Sequence, residues 1–283
     1  MKLNLILIFI IPSIAIIASA QSEVRAEIYL DQPQAVTEER WQSSPSSPPM
    51  ATDDPGTPGI HGYEINIISN CNRSSGSASC EKAIDLPIGI GERVQLRFSK
   101  NITSERTTGE PSLHGYGSSD VGVKWRFYDK NGLQMAVYPS FRFNDATRHQ
   151  DADGNEISPD GRSIYLPLII SKDIGERYTV VSNVAYRSNL DYKENSSVFT
   201  SIALGRSFSQ TSRGMIEIAS EATSIARRTD VRIGWVKVIF PERSSKYQTS
   251  LFTSLGRSVG RTEDGKKHTT ILFGINVTRK ADQ

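Results

Sequence analysis

The clearest pattern along the chain is an alternation of apolar and polar side chains. In residues 121–127 (VGVKWRF), valine, valine, tryptophan and phenylalanine take the odd positions, and glycine, lysine and arginine the even ones. Because successive side chains of a strand point to opposite faces, this segment is predicted to be a strand with one apolar and one polar face. Residues 94–98 and 271–277 repeat the pattern.

Twelve segments of this kind are separated by turn-forming residues, near 62–68, 83–88, 93–101, 119–129, 133–144, 163–173, 177–189, 197–208, 213–223, 229–240, 246–258 and 267–278. Their connections alternate between long and short. An even number of antiparallel strands with alternating connections is typical of bacterial outer-membrane barrels. We therefore predict an all-β fold, a single up-and-down antiparallel transmembrane β-barrel of about 12 strands.

A secreted β-sandwich or a periplasmic barrel is the alternative, and in either one the apolar face would be the inside. Long regular strands and a polar face rich in arginine and lysine favour the membrane barrel, because charges are costly on a lipid-facing surface. A mean hydropathy of -0.37 and the lack of a second long apolar run after residue 20 exclude a polytopic helical membrane protein.

The N-terminus has the pattern of a secretory signal peptide. Residues 1–20 carry one lysine, an apolar stretch from Leu5 to Ile17 and the small residues Ala18-Ser19-Ala20. We expect cleavage before Gln21 and localisation in the cell outer membrane; an uncleaved anchor is the alternative. Residues 21–58 contain six prolines among many serines and threonines, which predicts an extended or disordered leader before a barrel at 59–283.

The chain has two cysteines, Cys71 and Cys80. An even count in an exported chain predicts a disulfide, here across a short exposed loop. A metal site is the weaker interpretation, because there is no second cysteine pair and no histidine lies at ligand spacing. We expect no metal and no other cofactor, and we interpret the acidic residues 151–156 as a solvated turn, with cation binding there as the weaker alternative.

Charge and strand alternation together predict what lines the lumen. The net charge of +2 lacks the basic excess of a nucleic-acid binder, so no nucleic-acid partner is expected. If the apolar faces meet lipid, the opposite faces place eleven side chains inside as solute-facing candidates, namely Asp85, Gln95, Arg97, Lys124, Arg126, Arg142, Asn183, Arg187, Glu217, Glu221 and Arg232. Aromatic residues, among them Trp125, Tyr138 and Trp235, are candidates for girdles at the membrane boundaries, and at period-two spacing some of them are expected to be ordinary packing residues.

This lumen allows two interpretations. A positive bias would favour passage of anions or aromatic acids, whereas a lattice of ion pairs would plug the barrel. We predict passage or binding of small, possibly aromatic or apolar, solutes by a monomer whose partners are membrane lipid and the solute. A sealed structural or adhesive barrel is the alternative.

A barrel hydrolase is a third and weaker hypothesis. Of the four histidines only His268 opens a predicted strand at the long-loop end, and the chain has neither G-x-S-x-G nor H-E-x-x-H. We therefore assign no catalytic residues and predict that the protein is not an enzyme.

Five stretches carry a family resemblance: residues 85–96 (DLPIGIGERVQL), 115–127 (GYGSSDVGVKWRF), 136–139, 165–168 and 183–187. Together they resemble the meta-pathway phenol degradation family of outer-membrane proteins, over roughly residues 60–278. The resemblance implies an outer-membrane β-barrel concerned with small, often aromatic or apolar, compounds, and it supplies no catalytic residues.

Overall fold

The computed structural model describes residues 50–107, 113–147, 149–150, 156–157, 161–224, 226–240, 247–259 and 267–279. The predicted signal peptide, residues 21–49 of the leader and residues 151–155 of the acidic turn lie outside this part. No helix among the described residues is long and apolar enough to cross a membrane.

Almost all of the described chain is β-strand, apart from a one-turn 3₁₀ helix at Lys193–Asn195. The strands are β1 (Tyr63–Ser74), β2 (Ser77–Gly91), β3 (Val94–Thr107), β4 (Leu113–Lys130), β5 (Leu133–Val137), β6 (Ser140–Arg142), β7 (His149–Gln150), β8 (Glu156–Ile157), β9 (Ser163–Ile174), β10 (Tyr178–Asn189), β11 (Ser197–Ser209), β12 (Ser212–Ala222), β13 (Arg227–Phe240), β14 (Gln248–Val259) and β15 (Thr269–Arg279).

Thirteen of these strands form one closed barrel with twelve strand positions, because β5 and β6 share one position. Strands β5 and β6 both pair with β4 and β9, so they are one barrel strand interrupted at Tyr138 and Pro139. Strands β7 and β8 form a separate two-stranded ribbon. Antiparallel pairing of β15 with β1, from Tyr63↔Arg279 to Arg73↔Thr269, closes the sheet. The predicted fold class is therefore confirmed.

The barrel is apolar outside and polar inside. Ile67, Trp125 and Ile233 on its outer face are between 53 and 60% exposed, whereas Gln95 and Lys124 on the inner face have no exposed surface. A soluble sandwich would bury the first group and expose the second, so the sandwich alternative is excluded. The arrangement is the one required of a barrel surrounded by lipid.

Two ends of the barrel can be distinguished by their connections. At the short-turn end, Asn131 and Gly132 join β4 to β5 with φ values of 52° and 70°. A two-residue turn with both φ values positive matches the twist of a hairpin, and Asn-Gly tolerates that conformation best. The opposite, loop end carries the longer connections, including the one from β6 to β9.

One predicted long connection, residues 69–82, is instead a continuation of the sheet. Strands β1 and β2 extend to Ser74 and Ser77 and leave only a two-residue turn between them. Serine and asparagine on both faces remove the apolar alternation there, although the backbone pairing continues. The predicted disulfide is confirmed, and it joins directly opposed residues of two strands, Cys71 and Cys80, rather than bracing an open loop.

Replacing an outward valine with arginine tests the inside-outside assignment. Val123→Arg near the middle of β4 is expected to lower the free energy of unfolding in lipid vesicles by about 2–4 kcal/mol, because the charge enters hydrocarbon. Ile174→Arg, at the short-turn end of β9, is the matched control and is expected to cost about 1 kcal/mol or less. Equal losses in urea titrations of the two variants would contradict a lipid-facing outer surface.

Candidate functional site

Residues 50–59, here called the inner segment, lie inside the barrel. The chain turns into the lumen at the short-turn end, where His61 N donates to Gly89 O at 3.1 Å and Gly89 N donates to Gly62 O at 2.8 Å. A Cβ on Gly89 would overlap the carbonyl oxygen of Gly59, so the segment can cross β2 there only over a glycine.

An ionic contact holds the middle of the inner segment to one wall. The Asp53 carboxylate lies 2.9 Å from Arg97 Nη1 and 3.0 Å from Lys124 Nζ. Lys124 also donates to the Asp54 carbonyl oxygen at 2.7 Å. Because the Lys124 side chain is fully buried, these contacts offset the cost of taking its charge out of water.

The opposite wall binds the same segment through its backbone. Glu217 accepts hydrogen bonds from Ala51 N at 3.1 Å and Thr52 N at 2.7 Å. Asn183 Nδ2 donates to Asp53 O at 3.1 Å, and Thr52 Oγ1 donates to Ser201 Oγ at 2.8 Å. The inner segment is thus fastened to both sides of the barrel and crosses the lumen.

A chain of polar contacts on the inner face leads to this anchor. Thr278 Oγ1 donates to Asn276 Oδ1 at 2.8 Å, and Asn276 Nδ2 donates to Asn66 Oδ1 at 2.8 Å. Asn66 Nδ2 then donates to Asp85 Oδ2 at 3.0 Å, and Asp85 Oδ1 accepts from Arg97 Nε at 2.7 Å. The network continues across β15, β1, β2 and β3, so it fixes the position of Arg97.

A cavity of about 280 Å³, here called the chamber, lies against the inner segment. Met50, Ala51, Thr52 and Asp53 line one boundary of it. One side wall carries charged and aromatic side chains, and the facing wall carries apolar ones. The first set is Arg97, Asp120, Tyr138, Arg142, Tyr165 and Arg187, and the second is Ile68, Phe252 and Leu272.

The three chamber arginines differ in their partners. Arg97 pairs with Asp53 and Asp85, and Arg142 pairs with Asp120 at 3.0 Å. Arg187 instead lies over the Tyr165 ring, 5.2 Å from its centroid, and within the described residues it has no carboxylate partner. Its Nε atom is buried with no hydrogen-bond partner there.

The donors in the chamber are guanidinium, hydroxyl and amide groups, which suit an anion or another hydrogen-bond acceptor. In the described part of the chain, no group of three or more histidine, cysteine, aspartate or glutamate side chains is placed to hold a metal ion.

Strand alternation places all eleven predicted lumen residues on the inner face. Four of them contact the inner segment, namely Arg97, Lys124, Asn183 and Glu217. Four also line the chamber, namely Arg97, Arg142, Asn183 and Arg187. The others lie elsewhere on the inner face: Asp85 binds Arg97, Arg232 pairs with Asp230, Glu221 accepts from Ser197, Arg126 lies near Asp129, and Gln95 is fully buried.

Two features of the site were not predicted. Residues 50–58 were assigned to an extended or disordered leader, whereas the structure holds them against the inner wall. The signal was the acidic pair Asp53-Asp54, which can neutralise a cationic lumen, but nothing local to the leader indicates where its partners lie.

Tyr138, one of the candidates for an aromatic girdle, is a packing residue of the lumen instead. It is buried inside the barrel, with Arg97 at 5.3 Å and Lys124 at 5.9 Å from its ring centroid. Its even spacing from Arg142, an inward residue, would have placed it on the inner face.

Asp145 lies in the connection after β6, near the loop end. It accepts hydrogen bonds from Ser119 N at 2.7 Å, Ser119 Oγ at 2.6 Å and Lys100 Nζ at 2.8 Å. Burial raises the pKa of this carboxyl, but these hydrogen bonds outweigh it and lower the pKa to about 2. Asp145 is therefore ionised at neutral pH and ties the connection to β4.

Comparison with solved structures shows the fold. The chain is 12% identical to an outer membrane channel from Pseudomonas putida F1, with a TM-score of 0.63 over 78% of this chain and 95% of that one. It is 10% identical to the β domain of the Bordetella autotransporter Brka, with a TM-score of 0.54 over 78% and 99% of the two chains. No protein-family model and no curated protein sequence matches it.

Two aspartate-to-asparagine variants test how strongly the inner segment is held. Asp53→Asn is expected to lower the free energy of unfolding by up to about 3 kcal/mol, because the buried Lys124 loses its carboxylate while Arg97 keeps Asp85. Asp145→Asn is the control, because its lysine pair has a similar length but is half-exposed, so about 1 kcal/mol or less is expected. Both values can be read from tryptophan fluorescence during urea unfolding; equal losses would mean that Asp53 is not a structural anchor.

Proposed function

We propose that this protein is an outer-membrane channel for small solutes. The observation that carries the proposal is a closed barrel with an apolar outer face, whose polar lumen holds a solute-sized chamber next to the inner segment. Lipid cannot satisfy an open sheet edge, and the pairing of β15 with β1 leaves none in the barrel. Its likeness in fold to an outer membrane channel supports the proposal.

The topology fits export across the inner membrane and insertion from the periplasm. With twelve strands, both ends of the barrel domain lie at the short-turn end, which corresponds to the periplasmic side in such barrels. We place residues 1–20 as a cleaved signal peptide, and we take the resemblance in residues 85–96 and 115–127 as support for membership of the meta-pathway phenol degradation family. We further propose that the protein acts as a monomer and catalyses no reaction.

The inner segment sets the expected conductance. Because residues 50–59 cross the lumen between opposite walls, solutes pass only through the space beside them. The intact protein therefore behaves as a narrow channel rather than as an open porin.

Planar-bilayer recording tests the channel. Refolded wild-type protein is expected to give small stepwise conductance, and Asp53→Asn is expected to give larger steps or more frequent opening, because the inner segment loses its ionic anchor. Asp145→Asn, which leaves the lumen unchanged, is expected to record like wild type. If wild type and Asp53→Asn are both silent while their gel migration remains heat-modifiable, the barrel is a sealed scaffold.

Export makes a separate prediction. Protein purified from outer membranes should begin at Gln21, because Ala18-Ser19-Ala20 provides small residues for signal peptidase. N-terminal sequencing or intact mass measures this directly. An N-terminus at Met1 in the membrane fraction would support the uncleaved anchor instead.

A further inference from the structure

We propose that the chamber is a binding site for a small aromatic monocarboxylate, with Arg187 as the group that binds its carboxylate. This inference rests on the proposed function, which it deepens by naming the class of solute. The pairing of the chamber arginines, the apolar facing wall, and the size and charge of the cavity all favour such a ligand.

Arg187 is the chamber cation that the described part of the protein leaves unpaired with a carboxylate. Its guanidinium lies over the Tyr165 ring, and its Nε is buried without a hydrogen-bond partner. A buried donor without a partner costs free energy, and a carboxylate oxygen would satisfy it. The guanidinium fork is suited to two parallel hydrogen bonds with one carboxylate.

The facing wall is apolar, although the inner face of the barrel is mostly polar. Phe252 and Leu272 point inward and are 4% and 8% exposed, and Ile68 packs against them. All three side chains also line the chamber. A ligand with a charged group toward Arg187 and an apolar body toward Phe252 would match both walls.

The size of the chamber favours one small ring. Its volume of about 280 Å³ lies just below the range of roughly 300–1,000 Å³ occupied by drug-sized ligands. The rings of Tyr138, Tyr165 and Phe252 border the space. Aromatic side chains interact favourably with another ring by stacked or edge-to-face contacts, which favours an aromatic body over an alkyl chain.

The charge of the lining favours a single negative charge on the ligand. Three arginines and two aspartates line the chamber, which leaves one positive charge in excess. A monocarboxylate neutralises this excess, whereas a neutral aromatic compound leaves it and a dicarboxylate exceeds it. The charge of the lining and its ring-bearing, partly apolar walls therefore favour the same ligand class, an aromatic monocarboxylate.

Calorimetric titration of the full mature protein in a neutral detergent tests the site. Benzoate is the probe; benzyl alcohol keeps the ring without the charge, and acetate keeps the charge without the ring. We expect benzoate to bind at least about tenfold more tightly than either, because each lacks one of the two contacts. Equal affinity for all three would overturn the proposal.

Variants then test the role of Arg187. Arg187→Gln is expected to weaken benzoate binding by about tenfold or more, the effect of losing a charge-assisted hydrogen bond, and Arg187→Lys is expected to retain part of the affinity. Arg206→Gln is the matched control, because Arg206 also lies over a tyrosine, Tyr178, but is exposed on the outer face. It should bind benzoate like wild type.

The outcomes separate this inference from the proposed function. Wild-type benzoate affinity in both Arg187 variants, or equal losses in those variants and in Arg206→Gln, would overturn the inference. If Arg187→Gln loses its heat-modifiable migration, that variant has not folded. The benzoate affinity of Arg187→Lys relative to wild type then tests the role of Arg187. Conductance without benzoate binding would support the channel and refute this binding site. Benzoate binding without conductance would support the site and refute the channel.

Discussion

The requirement that every charge inside the barrel find a partner shapes this protein more than any single contact. A lumen walled by one layer of sheet has low-dielectric surroundings, so an unpaired buried ion is costly there. The barrel places several arginines and one fully buried lysine, Lys124, on its inner face. Wall carboxylates such as Asp85 and Asp120 neutralise part of this charge. Asp53 of the inner segment, which is not part of the barrel wall, neutralises a further part by pairing with Lys124 and Arg97, so the lumen charge determines where that segment lies.

The outer face follows from a second constraint, that lipid accepts neither charges nor unpaired backbone groups. Closure of β15 onto β1 removes the sheet edges, and period-two alternation then assigns each side chain to lipid or lumen. The two constraints meet in β4, where Val123 and Trp125 point outward and Lys124 between them points inward. One shift of register would put Lys124 in the membrane and leave Asp53 without its partner, so the outer and inner assignments support each other.

Alternation could be predicted from the sequence because it is local. The twelve strands, their order and the inward positions of residues such as Arg97 and Glu217 need only neighbouring positions and a choice of which face meets lipid. The inner segment could not be predicted in the same way, since Asp53 lies 44 positions from Arg97 and 71 from Lys124 along the chain. A proline-rich composition indicates the absence of a local core, and it carries no information about a cavity formed elsewhere. The hairpin beyond Ser69 was missed for a related reason: polar residues on both faces hide a strand that backbone pairing still forms.

The chamber is where the pairing rule is incomplete. A lumen selected only for stability would give Arg187 a carboxylate, as it gives one to Arg97 and Arg142, and would place polar groups where Phe252 and Leu272 lie. Proteins depart from such local consistency mainly at sites that serve a function. An unsatisfied guanidinium facing an apolar wall is unfavourable in an empty barrel and favourable around a ligand that is charged at one end and apolar at the other.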